Sequence, residues 1–162
     1  MSRLKELTEF KNTIIQRIVS NQDILKAVYY RDQNFLNQPN VDNESVLYKN
    51  IFPYNFIPSS PEEVGQVKTY ITLSITDYKP VGGSRFRAGS VYIYTFSHKS
   101  LFKVDLPTGD LRVDFIVAGL DEMLSDKRGI GIGELEFVGM KEYIVNQDYQ
   151  GYVLHYRPVM KS

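Results

Sequence analysis

Two runs of alternating residues constrain this chain more than any other feature. Val67 to Tyr78 sets Val67, Ile71, Leu73 and Ile75 on one face and Lys68, Tyr70, Thr72, Ser74 and Thr76 on the other, the two-residue period of a strand. The turn-rich Lys79-Pro80-Val81-Gly82-Gly83-Ser84 follows, and Phe86 to Phe96 then alternates Val91 and Ile93 with Tyr92, Tyr94 and Phe96. The second strand is apolar on both faces. An antiparallel sheet with one wet side does not satisfy such a strand, so both faces of this one need cover.

Helices are the expected cover for one face. Leu4, Leu7, Phe10, Ile14, Ile15, Ile18 and Val19 recur at three- and four-residue spacing, with Lys5, Glu6, Glu9, Lys11 and Arg17 largely between them. Ser20 or Asn21 can cap a second short helix that carries Ile24, Leu25 and Val28, with Asp23 in its first turn. A third helix is expected from Asp110 to about Asp126, capped by Thr108 or Asp110, burying Val113, Ile116, Val117, Leu120 and Leu124. Gly129, Gly131 and Gly133 then stop it. Glu134 to Met140 and Tyr149 to Val159 read as closing strands, with Pro158 at an end where a missing donor is tolerated.

This order predicts an α+β fold, a mainly antiparallel sheet with helices packed on one face, a long strand pair and a long aromatic loop. The 162 residues fit one domain, with N-terminal helices over 1–29, a long loop over 30–66, and the sheet with helix 110–126 over 67–162. Such a length buries roughly two-thirds of the unfolded surface without covalent staples. In the loop, periodicity fades into Asn, Asp, Pro and Gln around the string Ile51-Phe52-Pro53-Tyr54-Asn55-Phe56-Ile57-Pro58. A connection this long is usually functional, disordered or ordered by a partner. Its apolar string must pack on its own domain or on a neighbouring subunit.

Chemistry is sparse. The chain has no Cys, which removes disulfide scaffolds, thiol enzymes and Cys-based metal sites. The glycine run at 129–133 follows a helix and precedes a strand, the wrong context for a dinucleotide fingerprint. Gly82-Gly83-Ser84-Arg85-Phe86 lacks the second glycine of a nucleophile elbow, and no helix follows it. His98 and His155 have no evident nucleophile to serve, and Glu134 with Glu136 read as a wet strand face. These observations predict no enzyme, no cofactor and no metal. The charged start, Met-Ser-Arg-Leu-Lys-Glu-Leu, has no signal-peptide core, and no stretch is long enough to span a bilayer, so no membrane role is expected.

Charge is more informative. Lys+Arg and Asp+Glu are 19 each, which argues against an electrostatic grip on nucleic acid. The zero nevertheless hides segregation. Lys79, Arg85, Arg87, Lys99 and Lys103 fall between Tyr78 and Val104 without an acid, and Asp105, Asp110, Asp114, Asp121, Glu122 and Asp126 follow with Arg112 as the single base. On an ideal helix Asp110, Asp114 and Asp121 lie within about 40° of one another. That acidic line is either a solvated face or a surface that repels a polyanion or pairs with the basic segment of a neighbouring copy.

The pattern resembles the tail terminator and head-to-tail joining proteins of long-tailed bacteriophages, such as the lambda tail terminator. The likeness rests on the amphipathic N-terminal helix, Ile51-Phe52-Pro53-Tyr54, the strand pair, the helix opening Gly109-Asp110-Leu111-Arg112-Val113-Asp114, and the end at Asp148-Tyr149-Gln150-Gly151-Tyr152-Val153-Leu154-His155-Tyr156. The resemblance implies a virion protein assembled in the host cytoplasm into a ring, expected to be hexameric. The ring caps the tail tube protein, docks on the head connector and lets DNA pass without specific binding. In that setting Asp110, Asp114 and Asp121 are expected to line the channel or a subunit contact. Arg85, Arg87, Lys99 and Lys103 are expected between subunits, and Phe52, Tyr54 and Phe56 in an intersubunit groove. A head-closure or other neck connector ring is the alternative within the virion. A small ligand-binding domain or enzyme is the alternative outside it.

Overall fold

The computed structural model describes residues 4–80, 87–107, 109–125 and 134–159. Helices α1 (Leu4–Val19) and α2 (Gln22–Tyr29) open the chain as the periodicity predicts, and Asn21 caps α2 by accepting from the Ile24 amide at 3.3 Å. The short strand β1 (Ile51–Phe52) and the one-turn helix α3 (Pro61–Gly65) precede the long hairpin of β2 (Thr69–Pro80) and β3 (Arg87–His98). A small hairpin, β4 (Lys103–Leu106) with β5 (Gly109–Leu111), leads into α4 (Arg112–Leu124). Strands β6 (Glu134–Ile144) and β7 (Tyr149–Val159) end the fold. The turn at 81–86 and the glycine run at 129–133 lie outside the described residues.

The five-stranded sheet has the order β1-β2-β3-β7-β6, antiparallel except for the two-residue parallel pairing of β1 with β2. The α+β architecture is the one expected. One face carries Ile71 and Leu73 of β2, Val91 and Ile93 of β3, and Leu154 and Tyr156 of β7. Against it pack Ile14 and Ile18 of α1, Ile24 and Leu25 of α2, and Ile116, Leu120 and Leu124 of α4, all in one core. Burying such side chains stabilises by about 1.5–3 kcal/mol each.

The opposite face has its own cover. Phe52, Tyr70, Phe96 and Tyr149 form a second buried cluster, with Phe56, Tyr94, Tyr143 and Val145 packed around it. Phe52 stacks on Phe56 at 4.1 Å between ring centroids, and the Tyr149 hydroxyl donates to the Gln66 carbonyl. Thus the two-faced apolar character of β3 is satisfied by helices on one side and by the aromatic loop on the other.

Of the two alternatives for the long loop, packing on its own domain is the one observed. Residues 30–66 are ordered by their own domain: Phe35, Val41, Val46 and Ile51 sit in the main core, and polar clamps hold the chain between them. The Gln22 side-chain amide donates to the Val41 carbonyl at 2.9 Å and accepts from its amide at 2.8 Å. The Lys26 ammonium donates to the Leu36 carbonyl, the Tyr30 hydroxyl to the Pro39 carbonyl, and the Asn50 amide to the carbonyls of Val28 and Thr69. The third helix is corrected. It begins at Arg112, not Asp110, because Gly109–Leu111 is held extended by pairing with β4, and its N-cap Leu111 makes no side-chain cap bond.

His155 lies on the aromatic-cluster face and stacks on Tyr92 at 4.5 Å between centroids. Burial first, then Arg157 and Lys141, lower its pKa below the usual 6.5. As pH falls through about 6.5 the unfolded chain takes up this proton before the folded one does, so stability drops with acidification and is insensitive to this group above that range. Urea midpoints at pH 7.5 and 5.5 are expected to differ more for the wild type than for His155→Gln. An equal slope in both would refute the assignment.

Candidate functional site

The residues singled out from sequence do not converge on one site. Asp110 is on the exposed β5 strand, off the helix. Asp114 and Asp121, seven residues apart on α4, turn toward β7 of their own sheet. Asp121 accepts from the Tyr156 hydroxyl at 2.7 Å and from the Ser125 hydroxyl at 2.6 Å. Exposed Asp114 neighbours Tyr152, and its carboxylate pushes that phenol's pKa up. Burial and the Asp121 carboxylate push the Tyr156 phenol well above its ordinary range. The continuous acidic line expected on this helix is therefore replaced by one tyrosine-bound carboxylate, Asp121, an exposed Asp114 beside Tyr152, and a separate strand residue. The physical reason is that one flank of the buried stripe meets the sheet, and angular proximity on a helix does not reveal which flank that is.

Arg85 lies outside the described residues, and Arg87 pairs through its backbone with Pro80 at the far end of the long hairpin. Lys99 and Lys103 are exposed near the β4–β5 hairpin, where Lys103 is in register with Leu111, next to Asp110. Charges segregated along the sequence are thus neighbours in space at this hairpin. Phe52 packs on its own sheet, 5% exposed, and Phe56 stacks on it half-buried. Tyr54 remains exposed beside them, its ring 5.5 Å from that of Phe52.

One residue of structural weight was passed over. Arg112, fully buried at the start of α4, donates from Nε to the Leu101 carbonyl at 2.8 Å and from Nη1 to those of Ala27 and Tyr30 at 2.6 and 2.8 Å. Its Nη2 reaches the carbonyls of Arg31 and Asp32, and its guanidinium lies 5.1 Å from the Phe35 ring centroid. Burial pushes its pKa down to about 10, which leaves it charged at neutral pH. Its position four residues before Ile116 on the apolar stripe was the available signal.

The surface feature best suited to a partner is strand β6. A single bridge from Ser125 reaches its start at Leu135, and among the described residues no strand pairs with the remaining outer edge. Phe137, Val138, Met140 and Ile144 are exposed along it, Ile144 by 66%. Beside Ile144 a shallow groove of about 100 Å³ is lined by Phe102, Leu111, Val113 and Tyr152. At the opposite side of the sheet β1 covers only Ile71 and Thr72 of β2, so Leu73–Pro80 has no strand on its outer edge among the described residues. The apolar residues of β6 alternate with exposed Glu136, Lys141 and Glu142, and a bulge between Phe137 and Gly139 interrupts its register.

A helix-backed, mainly antiparallel sheet defines the chain as a small α+β domain. Residues 21–158 match the family model described as YomW. The chain belongs to the YomW family and is phage-related. No curated protein and no solved structure matches it.

Proposed function

We propose that this phage-related chain is a structural protein of the virion, a tail terminator that assembles head to tail into a ring. The ring caps the tail tube, joins it to the head connector and leaves a central DNA passage. The observation that carries the reading is the pair of sheet edges, β6 beyond Leu135 and β2 beyond Thr72, that no strand covers among the described residues, with Phe137, Met140 and Ile144 exposed along β6. Joining the β6 edge of one copy to the β2 edge of the next is a heterologous contact, and a heterologous contact that closes makes a ring. It also supplies the donors and acceptors that a free edge lacks.

Native mass spectrometry of the chain with and without tail tubes tests this, together with electron microscopy of the tube ends. Rings with a central opening at the tube tip are the expected result. The double variant Phe137→Lys/Met140→Lys is expected to keep its circular dichroism and remain monomeric, because like charges and lost apolar area oppose the contact. A wild type that stays monomeric with and without tubes overturns the reading, as do rings that form undiminished in the double variant.

A further inference from the structure

A cleft of about 310 Å³ opens between the C-terminal end of α2 and the start of β2. Its volume is at the lower end of those that hold small molecules. Arg31, Lys49 and Lys68 line it close to one another, and among the described residues no acidic side chain lines it and no carboxylate pairs with any of the three. Tyr29, Val67 and Leu101 give it apolar wall, and Ser45 adds a hydroxyl.

Three cations around one cavity in a chain of zero net charge require an explanation. Interaction with the negative end of α2 is the simplest, since cations are favoured at helix C-termini. That role is already filled, because Arg112 takes the Ala27 and Tyr30 carbonyls and Asn50 takes the Val28 carbonyl. The neighbouring polar groups are likewise committed: the Asn50 amide donates to two carbonyls and the Tyr30 hydroxyl to Pro39. The bond from Lys68 Nζ to the Lys49 carbonyl is long, at 3.4 Å. Partial burial and the charges of Arg31 and Lys49 together push the Lys68 pKa down. The turn that presents Lys49 holds Tyr48 at a φ of 60°, a conformation a bulky side chain adopts only when its surroundings impose it.

We propose that this cleft binds a small phosphorylated ligand carrying two or more negative charges, with Arg31, Lys49 and Lys68 contacting its phosphoryl oxygens. The guanidinium of Arg31 suits bidentate contact, and the two ammonium groups act as point charges. The binding site is independent of the β6 edge and of ring assembly.

Inorganic pyrophosphate is the probe, followed by thermal unfolding and amide NMR shifts against sodium chloride at equal ionic strength. Pyrophosphate is expected to raise Tm above the salt control and to shift the amides of Tyr30, Arg31, Lys49 and Lys68. In Lys49→Gln/Lys68→Gln, affinity is expected to fall about tenfold or more, as loss of charge-assisted hydrogen bonds implies. The ligand-free Tm of that variant at low salt is expected to hold or rise, since mutual repulsion is removed. Pyrophosphate acting no more strongly than the salt control overturns the proposal, as does an undiminished effect in the double variant. Short duplex DNA provides the third arm: binding of the duplex without binding of pyrophosphate overturns the small-ligand assignment.

Discussion

Replacing Arg112 with methionine is expected to lower the unfolding free energy by about 3–5 kcal/mol, a large share of what a domain of this size possesses. Methionine fills much of the same space but donates nothing to the carbonyls of Leu101, Ala27, Tyr30, Arg31 and Asp32. The Leu101 and Ala27 carbonyls are left buried and unpaired at about 1–3 kcal/mol each, those of Tyr30, Arg31 and Asp32 lie where water can reach them, and relief of the guanidinium's desolvation offsets part of the loss. Arg112→Lys is expected to recover little, since an ammonium has three donors and no planar fork. Urea denaturation followed by circular dichroism measures the loss, and a change below about 1 kcal/mol would contradict the clamp. Limited proteolysis supplies a second readout, with new cleavage expected in the 30–34 segment, where the clamp ties the loop to α2.

Gly151→Ala is expected to cost about 3 kcal/mol or more. A Cβ on Gly151 would lie 1.8 Å from the Thr95 carbonyl oxygen and 2.6 Å from the Phe96 Cα, both backbone atoms of the adjacent strand. Neither can rotate away, so β3 and β7 must separate at the centre of the sheet. For a chain of this length the loss corresponds to a fall in Tm of about 6–12 °C. Gly139→Ala on β6, where an added Cβ meets nothing within 4 Å, is the matched control and should shift stability within about 0.5 kcal/mol. Equal Tm values for the two variants would count against the close strand approach.

Legibility in the sequence followed the range of the interactions. The β2–β3 hairpin and the two N-terminal helices were readable because their periods are local, and the Asn21 cap because its partner is three residues away. The need to cover both faces of β3 was readable from Tyr92, Tyr94 and Phe96 alternating with Val91 and Ile93. The ordering of 30–66 was not, because the bonds that hold it join Gln22 to Val41 and Arg112 to Tyr30, and no local pattern encodes a partner some 80 residues away. The start of α4 was misplaced for a related reason: pairing of Gly109–Leu111 with β4 overrides the capping preference of Asp110. As for the site, composition along the chain showed two blocks of charge, but the β4–β5 hairpin brings Lys103 beside Asp110. The cleft at Arg31, Lys49 and Lys68 assembles from three separate segments and left no contiguous signature.

The position of β7 carries a consequence for biosynthesis. It follows β6 in sequence but lies between β3 and β6 in the sheet, so β6 has no strand partner and β3 only β2 until residues 149–159 have left the ribosome. Until then the nascent chain holds β3 paired with β2 but open along its other edge, from Val91 to His98. Closing the sheet is a late event over long sequence separations, the slow kind that exposes a chain to aggregation. A chain stalled before Tyr149 is expected to be a chaperone client, and emergence of β7 sets the moment at which the sheet can close.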